Sequence, residues 1–360
     1  MAKLTLEQLR ERIDALDEQL QSLLNERADC AQQVAEAKRD GDADTVFYRP
    51  EREAEVLRRV RERNQGPLSD DEIARLFREV MSACLALEQP MTIAYLGPEG
   101  TFTQAAALKH FGHSVQLKAL SAIDEIFREV EAGSASFGVV PVENSTEGTI
   151  NHTLDMFIRS PLKICGDVEL RIHHQLLGNV DDIKKIGALH AHQQSLAQCR
   201  EWLDANLPGV ERIAVSSNAE AARQASESKS IAAIASDAAA ETYGLKTFAA
   251  NIEDDPNNTT RFLVIGDQQV GPSGNDKTSL MATVHNESGA LYSLLEPVSR
   301  HGVSMTKIES RPSRQSKWDY VFFVDVDGHC DDKNVAAALS ELRSRTAMLK
   351  VLGSYPKCEL

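Results

Sequence analysis

The sequence predicts a multidomain protein: an all-α segment, then an α/β domain, then an α+β domain of order βαββαβ. Three observations predict it. At 360 residues the chain exceeds what one hydrophobic core usually supports, so several domains are expected. Apolar residues recur at helical spacing through residues 1–90. After Pro90 the texture changes to short apolar runs separated by glycine turns and helical segments, the signature of strands alternating with helices.

Apolar residues make up 42% and charged residues 26%, the balance of a globular protein able to build large cores. A net charge of -15 opposes DNA, RNA and acidic membrane surfaces, so nucleic acid is not an expected partner. The same sign makes an anionic substrate a local problem, to be met by clustered Arg and Lys. Cys30, Cys84, Cys165, Cys199, Cys330 and Cys358 form no CxxC pair, which suggests neither a zinc ribbon nor a disulfide framework and fits a reducing cytosol. The opening MAKLTLEQLRERID has no apolar h-region, and no stretch approaches the roughly 20 apolar residues of a membrane span. A cytoplasmic protein without a membrane segment is expected.

The first helix carries Leu6, Leu9, Ile13, Leu16, Leu20, Leu23, Cys30 and Val34 at alternating three- and four-residue spacing. It is expected to run from Thr5 as N-cap to about Arg39, roughly 50 Å, too long for a compact monomer of this size, so a dimer is implied. A polar break at 40–45 precedes a second helix from Arg49 to about Asn64, begun by Pro50 in its first turn. The third starts at a capping box, Ser69 with Glu72, and carries Ile73, Leu76, Phe77, Val80, Cys84 and Leu87 on one face. The helical domain is thus 1–90.

In the second domain, 92–267, MTIAYLG is a strand, GPEGTF a glycine turn and TQAAALKHF a helix, and SFGVVPV, RIAVSS, SIAAIAS and TRFLVIG continue the strands. The stretch 268–276, with Gly271-Pro272-Ser273-Gly274, reads as a linker. The third domain, 277–360, supplies strand TSLMATV, helix GALYSLLEPVSRHG, strands VSMTKIESRP and WDYVFFVDVDG, helix NVAAALSELRSRT and strand VLGSYP.

Arg27 occupies a heptad position in the stripe Ile13, Leu20, Arg27, Val34. A guanidinium there needs a neighbouring helix or a bound anion as partner, unless it sits at the stripe edge with its head in water. Lys38, three turns on, could share a ligand with it; Arg10, seventeen residues away, could do so only from a partner chain. These residues, with LRERIDALDEQL, NER, AEAK, RPERE and the Cys84 to Glu88 end of helix three, resemble the all-helical chorismate mutases, intertwined dimers of three-helix chains. On that resemblance Arg27 and Lys38 of one chain and Arg10 of the other hold the two carboxylates of chorismate, and Arg52 and Glu53 complete the wall. The reaction, a Claisen rearrangement to prephenate, needs no proton transfer, so cations that fix the compact conformer suffice. Relatives often carry Gln where Glu88 stands, so a raised Glu88 pKa and a preference for lower pH are expected. Cys84 stands where some relatives have a hydroxyl residue.

The turn Gly97 to Thr103 opens a helix; its NH groups could hold a carboxylate, or it is simply a tight turn. Neither GxGxxG nor GxxxxGK[ST] is present, and no cofactor is expected. The ordered set GPEGTFT, VVPVENSTEGTI, HHQLL, HQQSLAQC, SSNAEAA and NNTTRFLVI resembles prephenate dehydratase, whose two α/β lobes close on the substrate like a periplasmic binding protein. Prephenate loses carbon dioxide as its C4 hydroxyl departs, so a donor near that hydroxyl and an anchor for the pyruvyl carboxylate are needed. Thr260 is the leading donor, Glu143 the runner-up acid. Thr101, Asn144, Ser145, Thr146, Gln198, Ser217, Asn218, Arg261 and Phe262 are candidate substrate contacts, with Arg261 open to a purely structural role. His190 and His192 have no matching third ligand, so no metal is expected.

The βαββαβ order alone identifies no ligand. Gly289, Ala290, Leu291 and Tyr292 at a helix start, with Glu309, Ser310, Arg311 and Pro312 after a strand, resemble the phenylalanine-binding elements of dehydratase ACT domains. The resemblances together imply a bifunctional enzyme of phenylalanine biosynthesis, inhibited by L-phenylalanine, and a homodimer or higher homo-oligomer. Two other readings are a solute-binding module with a regulator, and a mutase fused to prephenate dehydrogenase, for which the nicotinamide fingerprint is missing.

Overall fold

The computed structural model describes residues 4–41, 46–284, 288–312 and 320–358. Compactness divides the chain into one unit of Met1–Arg49, Glu55–Met91 and Phe111–Gln116 and a second of Pro50–Ala54, Thr92–His110 and Leu117–Leu360.

Helices α1 (Leu6–Gly41), α2 (Pro50–Arg63) and α3 (Asp70–Glu88) follow the expected order. Thr5 starts α1 with a reciprocal box: its amide donates to Gln8 Oε1 (3.0 Å) and its hydroxyl accepts from the Gln8 amide (3.3 Å). Ser69 does the same work for α3, accepting from the Glu72 amide at 3.2 Å. α1 packs on α3, yet most of its apolar stripe meets nothing: Leu9, Ile13, Leu16, Leu20 and Leu23 are between 42% and 62% exposed. Part of the polar break, 42–45, lies outside the described residues. No helix among the described residues is long and apolar enough to cross a membrane.

The second unit begins with β1 (Thr92–Leu96), α4 (Phe102–Phe111), β2 (Gln116–Leu120), α5 (Ile123–Glu131), β3 (Phe137–Asn144), β4 (Gly148–Thr149), α6 (Asn151–Arg159) and β5 (Lys163–Arg171). It continues through β6 (Gln175–Gly178), β7 (Ala188–His192), α7 (Gln193–Gln198), α8 (Arg200–Asn206), β8 (Glu211–Val215), α9 (Asn218–Ser226), β9 (Ile231–Ala235), α10 (Asp237–Tyr243), β10 (Lys246–Ala249) and β11 (Thr259–Gly266). Two sheets result, ordered β2-β1-β3-β11-β5 and β10-β6-β9-β7-β8. The chain leaves the first sheet after β5, builds the second, and returns as β11 between β3 and β5, antiparallel to both. Two crossings join the lobes, and they pair with each other: the Ile252 amide donates to the His174 carbonyl and the Ile172 amide to the Asn258 carbonyl.

The rest of the chain is β12 (Asp276–Val284), α11 (Ala290–Arg300), β13 (Met305–Pro312), β14 (Tyr320–Asp327), α12 (Lys333–Arg345) and β15 (Met348–Pro356), one sheet of order β13-β14-β12-β15. Its helix face is lined by Leu280, Leu294, Val298, Val324, Leu339 and Leu342. Its other face contributes Met281, Val321, Phe323, Leu352 and Tyr355 to the same core as Phe127, Phe157, Ile164 and Leu263 of the first lobe. That shared core is why compactness does not separate the two. The expected linker is likewise packed: Val270 is buried and its carbonyl accepts from His329 Nε2 at 2.9 Å. At the closest approach a Cβ on Gly353 would lie 2.1 Å from the Ile164 carbonyl oxygen. Gly353→Ala is expected to destabilise this unit by about 1–3 kcal/mol, since backbone cannot yield as a side chain would; an unchanged urea midpoint would count against that packing.

Candidate functional site

In the helical unit α1 presents Arg27 and Lys38, both half-buried, toward the end of α3. Cys84 is buried one turn before Glu88 on the same helix. Burial raises the Glu88 carboxyl above its ordinary value, against the pull of the Lys38 and Arg27 charges. Lys38 Nζ also lies 5.3 Å from the Phe47 ring centroid. The geometry is therefore two cations and a reluctant carboxyl facing one place. Arg10 is exposed, and its offset of seventeen residues puts it about 25 Å along α1 from Arg27, beyond reach of that group within one chain. Arg52 is exposed and Glu53 half-buried in the first turns of α2, in the stretch that compactness groups with the second unit.

Between the two α/β lobes lies a cavity of about 640 Å³. Its lining includes no Lys or Arg among the described residues. Helix N-termini take their place: Thr101 to Thr103 open α4, and Ser217 to Ala219 open α9, both facing the cavity. The free NH groups and partial positive charge there suit an anion. Thr101 is held by donating to the Leu96 carbonyl (3.0 Å), and Ser217 caps α9 by accepting from the Glu220 amide (3.0 Å). Asn218 accepts from the His192 amide (2.9 Å) and donates to Ser195 Oγ (2.7 Å), which fixes its side chain.

Thr260 lies at the cavity floor, with its Oγ1 accepting from Asn144 Nδ2 at 2.8 Å, so its own hydroxyl proton is left to donate. Asn144 Nδ2 also donates to Asn258 Oδ1 (2.8 Å), and Asn258 Nδ2 to Gln198 Oε1 (3.2 Å). Thr146 Oγ1 lies 2.8 Å from Asn144 Oδ1 and 3.0 Å from Asn258 Oδ1 and completes this network. Gln198 and Gln194 of the second lobe donate to the Glu147 carboxylate of the first. Ser145 is spent on backbone, accepting from the Thr259 amide at 3.0 Å.

Five expected contacts, Glu143, Ser145, Thr146, Arg261 and Phe262, do not line the cavity, and for Glu143 and Arg261 strand alternation is the reason. β11 aligns Thr260 with Asn144 and Arg261 with Glu143, so when the first pair faces the cleft the second faces the βαββαβ domain. Glu143 pairs with Lys307 at 2.6 Å. Arg261 reaches Asp167 (3.0 Å), Asp325 (2.7 Å) and the Tyr355 hydroxyl (3.0 Å). Burial disfavours the Arg261 charge, but Tyr355, Asp325 and Asp167 more than offset it and its pKa rises. Phe262 is 2% exposed, a core side chain. Sequence reasoning quoted HHQLL and NNTTRF yet gave His174 and Asn258 no role; both line the cavity.

Gly289 precedes α11 in a left-handed conformation (φ 86°), with Ala290 half-buried and Leu291 and Tyr292 exposed. β13 alternates: Lys307, Glu309 and Arg311 turn to the first lobe, where Glu309 accepts from Thr149 Oγ1 (3.0 Å) and Arg311 pairs with Asp155 (3.0 Å). Ser310 and Pro312 face outward. β14 separates β13 from β12, so the two motifs do not meet in one chain by any hydrogen bond among the described residues. The expected histidine pair is otherwise engaged, His190 Nδ1 with Gln224 (2.6 Å) and His192 as cap of α7.

A helical unit that sets Arg27 and Lys38 by Glu88, a two-lobed cleft with two helix starts at its wall and an attached βαββαβ sheet are the marks of a multidomain enzyme of small-molecule metabolism with a regulatory domain. Chorismate mutase type II matches residues 9–89, prephenate dehydratase residues 93–270 and the ACT domain residues 278–344. The chain is 57% identical to the bifunctional chorismate mutase/prephenate dehydratase of Stutzerimonas stutzeri over 359 residues, covering 99% of this chain and 98% of that one. Identity to the Pseudomonas aeruginosa protein of the same description is 56% over 360 residues, 99% and 98% of the two chains. A crystal structure of prephenate dehydratase from Arthrobacter aurescens in complex with L-Phe superposes with a TM-score of 0.69 at 32% identity, over 74% of this chain and 89% of that one. The chain belongs to the bifunctional chorismate mutase/prephenate dehydratase family, and carries both activities with an ACT regulatory domain.

Proposed function

We propose that the helical unit works as a homodimer in the cytoplasm, where Arg27 and Lys38 of one chain and Arg10 of the other grip the two carboxylates of chorismate. The exposed apolar stripe of α1 supports the dimer: contiguous apolar surface of that extent calls for a partner, and a second copy would bring an Arg10 to each pocket. Sedimentation should give at least a dimer, and Leu16→Glu should reduce it. Arg52 and Glu53 complete the pocket, with Cys84 packing behind it. No covalent step is required: compaction and charge at the breaking ether oxygen supply the rate.

Glu88 faces that oxygen, and only its protonated form can donate to it. Its pKa is raised, so the donor persists above the ordinary carboxylate range and is lost as pH climbs through the raised value. Mutase activity is thus expected to fall with rising pH, and Glu88→Gln to flatten the profile. A Gln variant with the parent's pH dependence would eliminate this role.

In the dehydratase, the observation that carries the reading is Thr260 at the cavity floor with its proton unassigned. Thr260 donates to the departing C4 hydroxyl of prephenate as the ring carboxylate leaves as carbon dioxide, while the starts of α4 and α9 hold the carboxylates. L-Phenylalanine binds at Gly289 to Tyr292 and the outward residues of β13, across a pair of ACT domains, and inhibits the dehydratase. Lys307, Glu309 and Arg311 on the inward face tie that strand to Glu143 of β3, Thr149 of β4 and Asp155 of α6, the first of these next to Asn144. Excising residues 277–360 would strip Arg261 of Asp325 and Tyr355, so the cleaner test keeps the chain whole. Titration calorimetry with L-phenylalanine should show binding, and Ser310→Trp should abolish it together with inhibition; inhibition undiminished in that variant would refute the site.

A further inference from the structure

His174 sits where the chain first crosses between the lobes, is 1% exposed, and lines the dehydratase cavity. Its backbone is held at both ends, the amide donating to Glu253 Oε2 (2.9 Å) and the carbonyl accepting from Ile252. Its ring stands edge-on to Phe102 at 5.8 Å. Among the described residues the ring's one hydrogen bond is Nε2 to Gln198 Oε1 at 2.9 Å, and Nδ1 is buried with no hydrogen-bond partner.

The hydrogen on that contact can be assigned. Gln194 and Gln198 both donate to the Glu147 carboxylate, so the Gln198 nitrogen faces it (3.2 Å) and the Gln198 oxygen faces His174 and Asn258. An oxygen cannot donate, so Nε2 carries the proton. The direction of every later bond follows: Asn258 Nδ2 donates to Gln198, Asn258 Oδ1 accepts from Asn144, and Asn144 Nδ2 donates to Thr260. Were Asn144 reversed, Thr260 would have to donate inward and lose the proton that faces substrate; the Thr146 and Glu147 amides, donating to Asn144 Oδ1 at 3.0 and 3.1 Å, oppose that reversal from the other end of the chain. Burial lowers the His174 pKa, which keeps one nitrogen bare near neutrality.

We propose that His174 is a positioning residue for the dehydratase reaction, an Nε2–H donor that, with the Glu147 carboxylate on the other side of Gln198, holds the Gln198–Asn258–Asn144 chain in the polarity that leaves the Thr260 hydroxyl free to donate. The inference rests on the reading of Thr260 given above. A glutamine in its place can present an amide NH at the same distance from Gln198; a leucine fills the space and presents none.

The test uses the full chain and prephenate, with mutase activity on the same polypeptide as the control for folding. His174→Leu should lower dehydratase kcat by roughly 100-fold, as expected for a misplaced reacting group, with KM little moved, and His174→Gln should recover most of it. Histidine ¹⁵N NMR of the parent should show Nε2 protonated and Nδ1 bare. Equal losses in the Leu and Gln variants, or an Nδ1–H tautomer, would overturn the proposal. Adding His174→Leu to Thr260→Val should cost nothing further. If Thr260→Val alone is harmless, the Thr260 reading fails, whereas the Gln rescue still decides whether His174 acts as a donor.

Discussion

Arg261→Met is expected to destabilise the second compact unit by about 3–5 kcal/mol, the cost of leaving a buried ion pair with one partner missing. The guanidinium is 11% exposed and is divided between Asp167 of the first lobe and Asp325 of the ACT sheet. Asp167 would retain Lys277 at 2.9 Å, so the loss falls mainly on Asp325, left with Ser279 Oγ at 2.5 Å. Methionine keeps the volume and removes the charge, which separates electrostatics from cavity formation. Chemical unfolding of the parent and the Arg261→Met variant, read by the near-UV signal, would measure it. An unchanged midpoint with a raised KM for prephenate would instead make Arg261 a substrate ligand.

Thr260→Val should lower dehydratase kcat by about 100- to 1,000-fold, the usual loss when one aligned donor to a developing charge is removed. Valine preserves the branched shape and the β propensity of the strand, so β11 should keep its ladder with β3 and β5. KM should move little, and chorismate should still be turned over to prephenate, which would accumulate. Thr260→Ser should retain much of the rate. Phenylpyruvate formation within about threefold of the parent by the Val variant would remove threonine from the chemistry.

Much of this was legible in the residues. The three-and-four spacing of α1, its Thr5 cap, and the Ser69 and Glu72 box are local features, and the helices begin where they say. The ordered motifs of the middle domain gave Thr260, Asn144, Thr146, Gln198 and Asn218, which the fold gathers around one cavity or its hydrogen-bond network. The turn from Gly97 to Thr103 was legible as a helix start able to hold an anion, but the matching start of α9 at Ser217 was not, because only the fold brings the two to one cavity. Gln268 to Asp276 read as a free linker because glycine and proline report turn conformation and say nothing about what packs over the turn.

What the sequence determined by itself was the order of the elements, the family motifs and the length of α1, all set by nearest neighbours along the chain. Only the tertiary structure decided which side of β3 and β11 faces substrate. Alternation makes Asn144 and Thr260 one set and Glu143 and Arg261 the other, but whether a face meets a cleft or a neighbouring sheet depends on residues more than fifty positions away. The same holds for His174, whose proton is placed by a carboxylate and two amides that no local pattern brings together.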